Sequence, residues 1–95
     1  MTYEEFVTWV ESLINRGRLR PEQAQDLIRQ RELFDQERSR IEAEFGGYVV
    51  GFLDEELVVE TGVLTLLTLA LERARGERQL YFEPVPLPVI ESVKL

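Results

Sequence analysis

The sequence predicts an α+β fold: an N-terminal helical hairpin, then a ββαβ unit with a three-stranded, mainly antiparallel sheet, then an extended proline-rich tail. Three observations carry that expectation. Residues 1–45 keep apolar positions at helical spacing among many charges, without β-branched runs. Gly46-Gly47 opens a stretch of short β-branched and aromatic runs that flank one apolar helix. Pro84, Pro86 and Pro88 then alternate with Val85, Leu87 and Val89, and none of these prolines can donate to a sheet ladder. At 95 residues the expected organisation is one domain, with the hairpin at 1–45, the ββαβ unit at 46–90 and a tail at 91–95.

The first helix has a written start. Thr2 can cap it and Glu5, three residues on, can return the bond, a capping box worth about 1 kcal/mol. Phe6, Trp9, Val10, Leu13 and Ile14 fall on one face, and Gly17 suits the left-handed position past the helix end. Pro21 suits the first position of a second helix. Ala24, Leu27, Ile28 and Phe34 form its apolar face, and the short link from Gly17 to Arg20 makes the pair an antiparallel hairpin. The stripe lapses over Asp35-Gln36-Glu37-Arg38-Ser39-Arg40 and resumes at Ile41 and Phe45. Opposite charges four apart, at Arg31/Asp35, Arg38/Glu42 and Arg40/Glu44, support one long helix to about Glu44. A break near residues 35–39 is the alternative. Tyr48–Leu53 and Leu57–Thr61 read as hairpin strands around an Asp54-Glu55-Glu56 turn. Val63–Arg75 reads as a helix stopped by Gly76, and Gln79–Glu83 as a third strand.

Composition removes several chemistries. Without cysteine there is no disulfide framework, thiolate metal site or cysteine nucleophile, and without histidine the usual general base and metal ligand are missing. Ser12, Ser39 and Ser92 have no neighbouring base. The expectation is therefore no enzyme, no catalytic residue, no cofactor and no metal. Eighteen acidic residues against eleven basic ones, net −7, disfavour a nucleic-acid or anionic-membrane binder overall. The acidic start lacks the basic region of a signal peptide, and Val63–Leu71 is far short of the roughly 20 residues a membrane span needs. A cytoplasmic protein is expected.

Four segments invite a functional reading. Glu60-Thr61-Gly62-Val63 resembles the Asp-Thr-Gly motif of retropepsin-like proteases, but glutamate would displace the paired carboxylates and half the chain is helical, so Gly62 is expected to turn strand into helix. Asp54-Glu55-Glu56 lacks the spaced ligands of a calcium loop and reads as a solvated turn. Arg16, Arg18, Arg20, Arg29 and Arg31 share a segment that carries +3 while the remainder carries −10, a candidate nucleic-acid contact in a helix–turn–helix setting. The third helix is apolar over far more than the roughly 100° stripe one sheet face can cover. Its surplus, Leu64, Leu67, Leu69 and Leu71, must meet either the helical hairpin as an outer layer or a second copy of the chain.

Gly47-Tyr48-Val49-Val50, Asp54, Leu57-Val58-Val59, Leu66-Leu67 and Val85-Pro86 together resemble a group of small bacterial domains of unknown function built as strand, acidic turn, strand, helix, and a strand ending in Val-Pro. Glu55-Glu56 stands where that group tends to have Asp-Gly. The resemblance covers residues 47–86 and implies a ββαβ unit. Some members are associated with aspartic-protease-like proteins, which implies a protein partner rather than an activity. The expected function is a non-enzymatic interaction module of unknown pathway that self-associates, most simply as a homodimer, with a further protein partner allowed. An antitoxin-like or nucleic-acid-linked regulator using Arg16–Arg31 is the alternative.

Overall fold

The computed structural model describes residues 1–53, 55–74 and 80–87, and within the third helix the side chains of residues 70, 71, 73 and 74 lie outside that description. The elements run α1 (Tyr3–Asn15), α2 (Pro21–Glu44), β1 (Val49–Leu53), β2 (Glu56–Glu60), α3 (Val63–Ala74) and β3 (Tyr81–Pro84). The α+β class holds, with the helical hairpin preceding a three-stranded antiparallel sheet. Among the described residues no helix is long and apolar enough to cross a membrane.

Both ends of α1 follow from local sequence. Thr2 Oγ1 accepts from the Glu5 amide and Glu5 Oε1 accepts from the Thr2 amide, each at 3.2 Å. At the other end Arg18 N–H bonds to the Leu13 carbonyl and Gly17 N–H to that of Ile14, while Gly17 takes φ +68°. That paired closure needs a left-handed residue, and glycine supplies it without steric cost. Arg20 has no acceptor to offer the α2 N-terminus, but Gln23 Oε1 accepts from its amide at 3.0 Å and Pro21 occupies the first turn.

The second helix is continuous for 24 residues, so the break near 35–39 does not occur. Only the first of the three expected pairs forms as written: Arg31 meets Asp35. Arg38 turns back to Asp35 and across to Glu83 on β3, and Arg40 turns back to Glu37. The polar middle is thus held by a partner 45 residues away, which local spacing could not reveal.

The sheet order is β2-β1-β3, with β1 antiparallel to both neighbours. All five β1 residues are buried, as expected of a central strand covered on both faces. Val50 and Phe52 face α2 and pack with Phe34, Ile41 and Val85, whereas Val49 and Leu53 face α3 and pack with Val58 and Leu66. A third cluster, Phe6, Val10, Ala24 and Leu27, closes α1 on α2. Gly51 has a packing reason: a Cβ there would lie 2.8 Å from the Tyr81 carbonyl oxygen.

The layers correct one expectation. The hairpin covers one face of the sheet through α2, and α3 covers the other by packing on β1 and β2. The hairpin is therefore no outer layer over α3, because a whole sheet separates them. The hairpin turn is also shorter than expected. Leu53 pairs with Glu56, leaving a two-residue loop in which Glu55 takes φ +63° and residue 54 lies outside the described residues.

A glutamate in the left-handed region costs about 1 kcal/mol that glycine avoids. Its exposed contact to Arg29, at 3.2 Å, contributes less than that. Glu55→Gly should therefore raise the urea midpoint by the equivalent of about 0.5–1 kcal/mol. A lowered midpoint would show that the Arg29 contact outweighs the backbone strain.

Beyond β3 the chain continues beside β1. Val85 N–H bonds to the Tyr48 carbonyl and Gly47 N–H to the Val85 carbonyl, both at 2.8 Å, with Gly47 at φ +88°. Two residues thus oppose one, a bulge with glycine at its left-handed position. Because Val85 points its N–H inward, the alternation turns positions 84 and 86 outward, where proline loses no ladder bond. Pro88, Gln79, Gly76, Arg75 and the tail from 91 lie outside the described residues.

Candidate functional site

The outer face of α3 begins where Gly62 turns β2 into the helix and the Leu66 amide bonds to the Gly62 carbonyl at 3.2 Å. Leu66 then points into the sheet and is buried, and half-buried Leu69 packs beside it. With those side chains committed inward, the helical turn forces Leu64 and Leu67 outward. Leu64 is 78% exposed, Leu67 and Val63 40% each, and Thr65 and Thr68 lie among them. The four leucines expected to form the surplus thus divide. Leu64 and Leu67 are exposed, Leu69 is partly used by the core, and the side chain of Leu71 lies outside the described residues. Leu64, Thr65, Thr68 and Leu69 also line an open crevice of about 410 Å³ with Glu60 and Glu72 at its margins. Among the described residues carboxylates sit only at those margins, and the centre of the crevice lining is uncharged.

A second constellation lies between the hairpin and β3. Arg31 Nε contacts both Asp35 oxygens at 3.0 and 3.1 Å, its Nη1 donates to the Tyr81 hydroxyl at 3.2 Å, and its Nη2 donates to the Met1 carbonyl at 2.8 Å. Arg38 donates to Asp35 at 2.7 Å and to both Glu83 oxygens at 2.7 and 3.1 Å. The Tyr81 hydroxyl in turn donates to Glu83. Gln30, also buried, accepts from the Tyr81 amide through its Oε1.

The electrostatics follow from this geometry. Burial works to raise the Asp35 and Glu83 carboxyls, but the hydrogen bonds from Arg38, with Arg31 on Asp35 and Tyr81 on Glu83, outweigh it and hold both below the usual carboxylate range. Burial first, and then the bond to Glu83, push the Tyr81 hydroxyl well above its ordinary value, so it stays a protonated donor. Each acid faces an arginine. Chemically, this set pins α1, α2 and β3 together.

Because both carboxyl pKa values are depressed on folding, their stabilisation is present above the unfolded value near pH 4 and is lost as pH falls through the folded values. The urea midpoint should therefore drop between pH 5 and pH 3. Asp35→Asn combined with Glu83→Gln should flatten that dependence. An unchanged slope in the double variant would refute the assignment.

The arginine segment does not form one surface. Arg31 is 6% exposed and belongs to the buried network, which removes it as a nucleic-acid contact. Arg29 pairs with Glu32 and Glu55. Arg16, Arg18 and Arg20 are exposed near the hairpin link, where Arg18 borders an open groove with Trp9 and Leu19. A signal for the burial of Arg31 was in the sequence: Ala24, Leu27, Arg31 and Phe34 fall at spacings of three, four and three, which places Arg31 on the apolar stripe. Tyr81 and Glu83 as partners had no such signal. Trp9, 47% exposed, tilts against Phe6 at the hairpin and leaves α3 uncovered. Glu60 ends β2 and Glu55 turns to Arg29, so the two acidic motifs sit at element ends. Among the described residues no group of acids converges to hold a metal ion.

Comparisons with protein-family models, with curated proteins and with solved structures gave no match.

Proposed function

We propose that this chain is a non-enzymatic interaction module that works as a homodimer, with the outer face of α3 at the interface. One observation carries the reading: the hairpin lies across the sheet from α3, and Leu64 and Leu67 stay uncovered. A second copy suits this face because its centre is uncharged. A chain of net −7 can meet its own copy there without bringing carboxylates together at the centre. Two-fold pairing is also the commonest way to bury a self-complementary patch.

The engagement of Arg29 and Arg31 within the chain argues against the nucleic-acid alternative. Leu64→Asp should weaken association by at least about tenfold, since burying a leucine contributes roughly 1.5–3 kcal/mol. The variant should keep its far-UV circular dichroism, because the Leu64 side chain is exposed within one copy. Sedimentation of the variant as an undiminished dimer would place the interface elsewhere.

A further inference from the structure

We propose that the two copies join through β2, edge to edge and antiparallel, so that the sheet continues as six strands and the α3 flanks that carry Leu64, Thr65 and Thr68 meet across the two-fold axis. This rests on the homodimer reading above and adds its geometry.

The two edges of the sheet differ in what they offer. On β2, residues Glu56, Val58 and Glu60 stand opposite Leu53, Gly51 and Val49 across a two-residue loop, so their backbone groups bond inward. Leu57 and Val59 consequently turn their N–H and C=O groups outward, and among the described residues nothing pairs with them. On β3 the outward positions include Pro84 and Pro86, which have no N–H, and a bulge bends the chain there. One edge is blunted in the way natural sheets blunt edges, and among the described residues the other is open.

The helix lies where an edge-to-edge pair would use it. Because α3 packs on both β1 and β2, its axis runs between them. With strands about 4.8 Å apart, a two-fold axis beside β2 sets the two α3 axes about 10 Å apart. Packed helices sit at about that distance. The crevice lined by Leu64, Thr65 and Thr68 opens beside Glu60, the last residue of β2, and so faces the second copy. A stable interface takes about 20–30 residues a side. The α3 face alone supplies only a handful, and β2 with its flanks extends it.

Charge selects the register. Centring the pair on Val58 would set Glu56 directly opposite Glu60 of the second copy, twice, which is unfavourable. Centring it on Leu57 would draw Glu55 into the ladder, and its φ of +63° is not extended. Centring it on Val59 sets Glu60 opposite Val58 and Leu57 opposite Thr61 of the second copy; this avoids both faults and leaves the two Glu60 side chains as diagonal neighbours only, which repel less than a directly opposed pair.

The chain has no cysteine, so a single introduced thiol reports the register cleanly. In this register Val59 meets Val59 of the second copy at a Cα separation of about 5.5 Å. That lies within disulfide reach. Leu57 would lie about 13 Å from its own counterpart. Val59→Cys treated with diamide should therefore give a covalent dimer on a non-reducing gel. Leu57→Cys and the exposed control Ser39→Cys should stay largely monomeric under the same treatment. Val59→Pro removes no bond within the chain and should weaken dimerisation at least tenfold in sedimentation. If wild type sediments as a dimer but Val59→Cys does not cross-link, or Leu57→Cys cross-links equally well, the edge pairing is wrong while the homodimer stands. If wild type sediments as a monomer, both readings fall.

Discussion

Phe34→Ala should cost about 3–5 kcal/mol, the range for emptying a fully buried aromatic site. Phe34 is 1% exposed and lies where α2 crosses the sheet. Its ring meets Phe52 edge-on at 6.3 Å and Tyr81 at 5.7 Å, and the Arg38 guanidinium stacks over it at 4.8 Å. Removing the ring therefore opens a cavity in the core between α2 and the sheet and also loosens Arg38, which holds Asp35 and Glu83. A domain of this size has about 5–15 kcal/mol in total, so the variant should forfeit a large fraction of its stability. Urea titration by circular dichroism would measure it, at one fixed chain concentration because association adds apparent stability. Phe34→Leu should cost about half as much, since it keeps part of the volume. A loss below about 1 kcal/mol for Phe34→Ala would mean that α2 does not rest on the sheet through this ring.

Arg31→Ala comes next, at about 3 kcal/mol, the lower end for breaking a buried charge pair by removing one partner. The lower end applies because Asp35 keeps Arg38 and the Tyr81 hydroxyl keeps Glu83 after the truncation. The Met1 carbonyl loses its Arg31 donor, and the Phe6 ring loses the cation held 5.5 Å from its centroid. Arg31→Lys should recover little, since an ammonium cannot reach a carboxylate, a hydroxyl and a carbonyl in one plane. Arg31→Met should be milder than Arg31→Ala, because the buried stem is replaced by an apolar one. Amide exchange should rise first in α1, which Arg31 ties down through Met1 and Phe6. Equal protection of α1 in the variant and in wild type would contradict that role.

The legible parts of the fold are the local ones. The α1 boundaries are written in Thr2, Glu5 and Gly17 because caps act over three or four residues. The element order followed from the switch in periodicity at Gly46-Gly47. What escaped depends on distant partners. The polar middle of α2 looks like a possible break until Glu83 supplies its counter-charge. The turn after β1 was read one residue too long because Glu55 takes a left-handed conformation without the Gly or Asn that normally marks one. The width of the apolar surface on α3 was legible, but not which layer would meet it. That is set by β1 occupying the middle of the sheet, a topological fact that no single segment encodes.

The same separation is what supports the proposed homodimer, since it leaves Leu64 and Leu67 facing outward on the layer away from the hairpin. Sedimentation equilibrium of the wild-type chain, diluted from about a hundred micromolar to about one micromolar, tests it most directly, because typical specific interfaces hold in that range. The expected mass is twice 11.1 kDa at the upper concentrations, falling toward the single-chain value only on dilution. A mass of 11.1 kDa throughout the series would contradict the account.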